Sequence, residues 1–277
     1  MTSGPRIFCI PATRAPVLAV IRRGPSNWSH VGVWDIDRPA YEPGSWLRGH
    51  IYPQRCDLSP DGRWFSYFAI AGHADWALGT TYIAISRLPW LQALAAWGTA
   101  GTWTRGAQFE NDRELWDVGD PMHGDVSALR RRYGLALSTP AAYAVERRRG
   151  WTETDDSPAR GPNDMWDERR ADSLYLRKPR PNDAATSLVV TGSYAAFRSG
   201  PANLDDALYS IEGKGGDVLE SVQWADWSAD GRLLIATADG RLQIRQYAAT
   251  GTTVTWETDL AGLEPDPTPP PAEASQW

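Results

Sequence analysis

One segment occurs twice in this chain, and its duplication limits the fold more than any other feature. Asp57-Leu58-Ser59-Pro60-Asp61-Gly62-Arg63 and Asp226-Trp227-Ser228-Ala229-Asp230-Gly231-Arg232 are each followed by an apolar run, Trp64 to Ile70 and Leu233 to Thr237. Both read as strand, Asp-Gly turn, strand, because a tight hairpin needs residues that tolerate positive φ and Asp and Gly do so at low cost. Asp57, Asp61 and Gly62, with Asp226, Asp230 and Gly231, are therefore assigned to repeated structural turns.

The two copies begin 169 residues apart. That offset is close to four repeats of about 42 residues, the usual length of a four-stranded propeller blade. The expected fold is thus all-β and β-propeller-like, with about five four-stranded blades and one or two short helical insertions. At these residues the sequence resembles the WD-repeat and TolB-like propeller families, whose blades often carry an SPDG turn between their first two strands. Ser59-Pro60-Asp61-Gly62 matches that turn in full, and Ser228-Ala229-Asp230-Gly231 departs only at Ala229. Trp34-Asp35, ending the run from Val31, echoes a second trait of the WD-repeat family. The segments beginning at Arg22, Cys56 and Trp224 further resemble an uncharacterised bacterial family, a likeness that brings no known activity with it.

Strands are expected near Val17–Arg23, Val31–Asp35, Trp64–Ile70 and Tyr82–Ser86, and again at Ser173–Arg177, Thr186–Gly192 and Ala207–Ile211, where β-branched and aromatic residues cluster between turn signals. The most regular blade spans Ser221–Leu260, with turns at Asp230-Gly231, Asp239-Gly240 and Thr250-Gly251. Pro89–Gly98 is expected to be helical, since Trp90, Leu91, Leu94 and Trp97 fall at helical spacing between an initial Pro and a final Gly. Asp125 is positioned to cap a second short helix through Tyr133, with Gly134 ending it. A single domain, residues 1–263, is expected, with an irregular polar loop at 152–172 whose alternative reading is a boundary between two smaller β units. Within the Pro-rich tail, 264–277, the run Pro265–Pro271 suits neither helix nor inner strand and is expected to be extended or mobile, with Trp277 available to pin the tail to the body.

The net charge of −6 argues against nucleic acid as a partner, which would call for a basic excess. No leader-like N-terminus and no run of eighteen apolar residues is present, so a cytoplasmic protein away from membranes is expected. Cys9 and Cys56 each lie in an apolar stretch and read as two buried thiols, with a bridge open only if their strands are neighbours. His30, His50, His73 and His123 lack ligand spacing, and there is no nucleophile-elbow serine or phosphate loop. No metal, cofactor or catalytic residue is therefore assigned, and the chain is read as leaning away from an enzyme.

The densest concentration of aromatic and cationic residues is Glu42–Asp57, expected to be a connection between blades. Such connections reach the faces where propellers bind, and Trp, Tyr and Arg dominate binding hot spots. Trp46, Arg48, His50, Tyr52 and Arg55 are the candidate binding residues, the competing use being Trp46 and Tyr52 as filler and the arginines as ion-pair partners. The hairpin Arg22–Trp28 is a second candidate surface or an ordinary turn, and the runs Arg130–Arg132 and Arg147–Arg149 are able to attract an anion or an acidic partner but in an acidic chain read more readily as solvated faces or internal ion pairs. The function expected is that of a protein-interaction scaffold or adaptor with another protein as partner. The alternative is a small-molecule-binding propeller or hydrolase with a central site using His50, Asp57 and other carboxylates.

Overall fold

A computed structural model describes residues 5–24, 27–71, 77–102, 104, 106–137, 144–154, 173–193, 207–213, 216, 218–248, 250–266 and 268–277. The chain is all-β, of the five-bladed β-propeller type, and the described residues form five sheets with two short α-helices. They fall into two compact units, Cys9–Val145 with Glu264–Trp277, and Met1–Phe8 with Glu146–Leu263.

The first sheet is a four-stranded antiparallel meander of β1 (Arg6–Pro11), β2 (Val17–Arg23), β3 (Trp28–Asp35) and β4 (Ala40–Arg48). The second is built on β5 (His50–Ile51), β6 (Asp57–Leu58), β7 (Trp64–Ile70), β8 (Thr81–Arg87) and β9 (Ala93–Gly98). The third contains β10 (Gln108–Phe109) and β11 (Glu114–Trp116), after which β12 (His123–Gly124) returns to pair with β9. Helix α1 (Val126–Arg132) then leads into β13 (Gly134–Ala136), which lies parallel to β11. Helix α2 (Ala144–Arg148) precedes the fourth sheet, β14 (Thr152–Glu153), β15 (Ser173–Arg180), β16 (Asp183–Ser193) and β17 (Leu208–Glu212). The fifth is β18 (Val222–Trp227), β19 (Leu233–Thr237), β20 (Arg241–Ala248) and β21 (Gly251–Asp259).

Burial follows strand position. Every residue of β7 except Ile70 is buried, so both faces of that strand are covered and its sequence is continuously apolar and aromatic rather than alternating. Strands β4 and β21, last in their meanders, have no buried residue at all and carry the charged and proline residues an edge requires.

The repeated turns work through their hydroxyls. Ser59 Oγ donates to Asp61 Oδ1 at 2.6 Å and accepts from Trp64 N at 2.9 Å, while Gly62 sits at φ +75°. Ser228 and Asp230 repeat the arrangement around Gly231 at φ +80°, and Thr237 and Asp239 supply a third copy around Gly240. A positive φ strains any L residue, which is why glycine holds this position in all three. The aspartates opening the two long repeats are buried. Asp57 accepts from Leu58 N and, through its other oxygen, from Phe109 N on β10, both at 2.9 Å. Asp226 accepts from Trp227 N at 2.7 Å and from Lys178 Nζ on β15 at 2.6 Å. The same residue thus ties its sheet to another through an amide in one copy and an ammonium in the other.

Two expectations are corrected. Pro89–Gly98 is not helical: Ala93–Gly98 is β9, antiparallel to β8. Leu94, Ala95, Ala96 and Trp97 are consecutively buried, and a short apolar run of this kind satisfies a strand covered on both faces as well as a helix. Glu42–Asp57 is a connection between sheets only in its second part, because Glu42–Arg48 belongs to β4 of the first sheet and β5, beginning at His50, pairs with β7 of the second. Gly49 alone separates β4 from β5, and a Cβ there would overlap Ala71 Cβ and lie 2.6 Å from the Ile70 carbonyl.

Other expectations hold. Asp125 caps α1, its carboxylate accepting from Ala128 N at 2.8 Å. Cys9 and Cys56 are buried free thiols. Trp277 does fix the tail, its ring 5.4 Å from that of Trp64. Most of the loop predicted at 152–172 lies outside the described residues, as does His73, whereas Thr152–Glu153 forms β14.

Candidate functional site

The sequence-flagged residues separate into two groups. Register places Arg22, His30 and Trp46 in one row across β2, β3 and β4. The Trp46 ring lies 4.6 Å from that of His30, Trp28 meets its edge at 6.5 Å, and the Arg22 guanidinium sits 5.5 Å from its centroid. His30 is fully buried with Tyr41 Oη 3.1 Å from its Nδ1. Burial, reinforced by Arg22 and opposed by the Gly44 backbone, pushes its pKa down to about 4, so the imidazole is neutral at neutral pH. Burial likewise raises the Tyr41 phenol above its ordinary range.

The second group is His50, Tyr52 and Arg55. Arg55 is buried, stacks 5.4 Å from the Tyr52 ring and 4.9 Å from that of Phe68, and donates to the Thr102 carbonyl at 2.6 Å. Arg23 covers the other partner, 5.8 Å from Tyr52, with its Nη2 3.4 Å from His50 Nδ1. His50 is shifted down by burial and by that guanidinium. Arg48 belongs to neither group: it is exposed on β4 opposite Trp28. Trp46, Tyr52 and Arg55 are therefore held in aromatic and cation–π packing, and of the five Arg48 alone is exposed. Asp57, the acid of the alternative reading, is enclosed with its oxygens on backbone amides.

A cleft of about 560 Å³ lies elsewhere in the same unit. Its walls bring together Arg14 before β2, Asp61 of the first repeat turn, Asp112 and Arg113 between β10 and β11, Arg131 and Arg132 of α1, and the rings of Trp64, Tyr133 and Trp277. Both carboxylates are engaged: Asp112 pairs with Arg14 at 2.5 Å, and Asp61 accepts from Ser59 and lies 3.8 Å from Arg63. Arg113, Arg131 and Arg132 form no ion pair with any described residue. The Arg132 guanidinium instead lies 4.6 Å from the Trp64 centroid. Tyr133 is buried, and its phenol is pushed up by burial and by Asp61, with Arg132 acting in the opposite sense, so it stays protonated. The cleft thus combines an aromatic floor with unneutralised guanidiniums, the two components of a site for an anionic ligand bearing a flat apolar group.

Sequence reasoning named the Arg130–Arg132 run and Trp277 but did not join them. Arg130 is an ion-paired member, with Asp120 at 2.7 Å, and Arg147 pairs with Glu153 at 2.7 Å. Arg131 and Arg132 come to the cleft because one short helix places them beside a turn about seventy residues earlier and a tail far beyond, which no local pattern encodes. Among the described residues no group of three His, Cys, Asp or Glu side chains could hold a metal, and no helix is long and apolar enough to cross a membrane.

No family model and no curated protein matches this chain. Among solved structures it is similar to the uncharacterized protein lmo1340 from Listeria monocytogenes EGD-e, at 12% identity and a TM-score of 0.28, over 95% of this chain and 86% of that one. It is also similar to the β-propeller domain of the Trilobed protease from Pyrococcus furiosus, at 10% identity and a TM-score of 0.29, over 93% and 85%. A third similarity is to Saccharomyces cerevisiae Sqt1, at 10% identity and a TM-score of 0.23, over 94% and 76%. At these scores the likenesses say nothing about a shared activity.

Proposed function

We propose that this protein is a non-catalytic cytoplasmic adaptor that docks an acidic segment of a protein partner in the cleft beside α1. The observation that carries this reading is the set of three guanidiniums, Arg113, Arg131 and Arg132, lining one cleft without a carboxylate partner among the described residues. Arginine stays protonated, so it cannot serve as a general base, and the carboxylates available for acid–base work are already engaged. What remains is recognition: charge-assisted hydrogen bonds to carboxylates above an aromatic floor, the composition that concentrates binding energy at interfaces.

The test is fluorescence anisotropy with a labelled oligo-glutamate peptide, beside an oligo-glutamine control, at low and moderate salt. The Arg113→Glu, Arg131→Glu double variant should lose about ten-fold or more in affinity, because both cations reverse sign. Arg48→Glu, on the exposed edge strand β4, should bind as wild type does. Loss in Arg48→Glu with none in the double variant would move the site to β4, and absence of glutamate-dependent binding would sink the reading. Unfolding curves for each variant establish that folding is retained.

A further inference from the structure

We infer that the tail Glu264–Trp277 is a built-in occupant of the aromatic half of this cleft, and that the partner segment displacing it is an acidic peptide carrying its own indole. The inference rests on the reading of the cleft as an acidic-segment site and adds the chemistry of the ligand and a means of controlling access.

The tail is seated by specific contacts. Its 3-10 turn, Ala272–Ser275, lies against β8, with Ala274 fully buried and the Glu273 carbonyl accepting from Arg87 Nη1 at 3.5 Å. Three residues further on, the Trp277 ring reaches Trp64 at 5.4 Å and an interplanar angle of 47°. Trp64 also carries Arg132 at 4.6 Å, so the indole that the tail delivers and a guanidinium share one ring. The segment from 264 to 277 contains Glu264, Asp266 and Glu273, no basic residue, and five prolines, so the ligand in place is itself an acidic, stiff peptide.

Its fit is incomplete in a telling way. Asp266 is turned to its own chain, accepting from Thr268 N at 2.9 Å and from Thr268 Oγ1 at 2.7 Å. The Glu273 contact with Arg87 uses the backbone carbonyl. No described carboxylate of the tail pairs with Arg113, Arg131 or Arg132. The tail therefore satisfies the aromatic half and leaves the cationic half open. A segment placing carboxylates beside its indole would satisfy both, and so has the differential affinity needed to replace the tail. Prolines limit the order lost when the tail docks, which lets it hold the seat with few contacts.

The experiment uses the full chain and a fluorescein-labelled synthetic peptide copying residues 264–277, with a second copy in which its Trp is replaced by Ala. Wild type should bind the first peptide weakly because the tethered tail competes at an effective concentration of about millimolar. Trp277→Ala should bind it about ten-fold or more tightly, once that competitor loses its anchor. The Ala copy should bind Trp277→Ala poorly, and adding Arg131→Glu to Trp277→Ala should weaken the first peptide at low salt. If Trp277→Ala is unstable in thermal unfolding, Ala274→Asp, which dislodges the tail at its buried turn, replaces it. Equal binding of the tail peptide to wild type and to the tail-released variant, or equal binding of the two peptides, overturns the inference. Retention of the oligo-glutamate response in that case confines the failure to the tail, whereas loss of both responses removes the reading of the cleft as well.

Discussion

Acidification should destabilise this protein through His30 before most of its carboxylates titrate. The imidazole is fully enclosed between Tyr41, Trp46 and Arg22, and its pKa is held down to about 4 by burial and by the neighbouring guanidinium. A solvated imidazole, as in an unfolded chain, titrates at about 6.5. A depressed folded-state value means that the unfolded state binds the proton first, so the stability contributed is complete above about pH 6.5 and is lost as pH falls toward 4. The slope between those limits is about 1.4 kcal/mol per pH unit, and the whole interval of some 2.5 units comes to about 3 kcal/mol. His50 shifts in the same direction, and its partial exposure makes its share smaller. Urea denaturation followed by tryptophan fluorescence at pH 7, 6, 5 and 4.5 measures the effect, and His30→Gln supplies the reference because it removes the titration while other groups titrate equally. The wild-type curve should fall away from the His30→Gln curve by about 2–3 kcal/mol across the range, whatever the variant costs at pH 7. Parallel curves would show that His30 is protonated at no cost in the folded state and would refute the argument.

Three further outcomes follow from particular contacts. Asp57→Asn should cost about 2–4 kcal/mol in urea denaturation, because its amide group would set a donor against the Leu58 or Phe109 N–H in a site with no solvent. Asp226→Asn keeps the oxygen that accepts from both Trp227 N and Lys178 Nζ but leaves the Lys178 ammonium without its counter-charge, at a cost of about 3–5 kcal/mol, and Lys178→Met added to it should recover part of that loss in a double-mutant cycle. Gly49→Ala should lower stability by about 1–3 kcal/mol, since its Cβ overlaps Ala71 and the Ile70 carbonyl where β4 passes into the next sheet, and a stability equal to wild type would show that the strands move apart freely.

Strands were legible wherever an apolar run was bounded by turn chemistry. Val17–Arg23 and Trp64–Ile70 appear with the limits their residues suggest, and the turns at Asp61-Gly62, Asp230-Gly231 and Asp239-Gly240 follow from the need for a positive φ. Periodicity misled at Pro89–Gly98 because it records which residues are apolar and not how many faces are covered. Trp90, Leu91, Leu94 and Trp97 match a helical stripe, but Ala95 and Ala96 between the last two are as buried as their neighbours, and β8 and β12 pair on either side of the segment. The same limit applies at Glu42–Arg48, whose Pro43, Gly44 and charges resemble a loop and belong to an edge strand, the position in a sheet where such residues do least harm.

Sites are harder to read than strands because composition shows which side chains are chemically able and leaves their neutralisation undetermined. Arg22, Arg23 and Arg55 look as available in the sequence as Arg113 and Arg131 do. Folding spends the first three on rings and carbonyls, with Arg55 over Tyr52 and Phe68 and bonded to Thr102. The others stand unpaired among described residues around a cleft where Trp64 of β7 is met by the Trp277 ring of a tail more than two hundred residues away. A guanidinium that has been desolvated and stacked has little left to offer a ligand, whereas one that is exposed and lacks a counter-charge retains its full attraction for a carboxylate. The distinction depends on long-range contacts, and it is the ground on which the acidic-segment site is proposed at a cleft whose arginines are scattered along the chain.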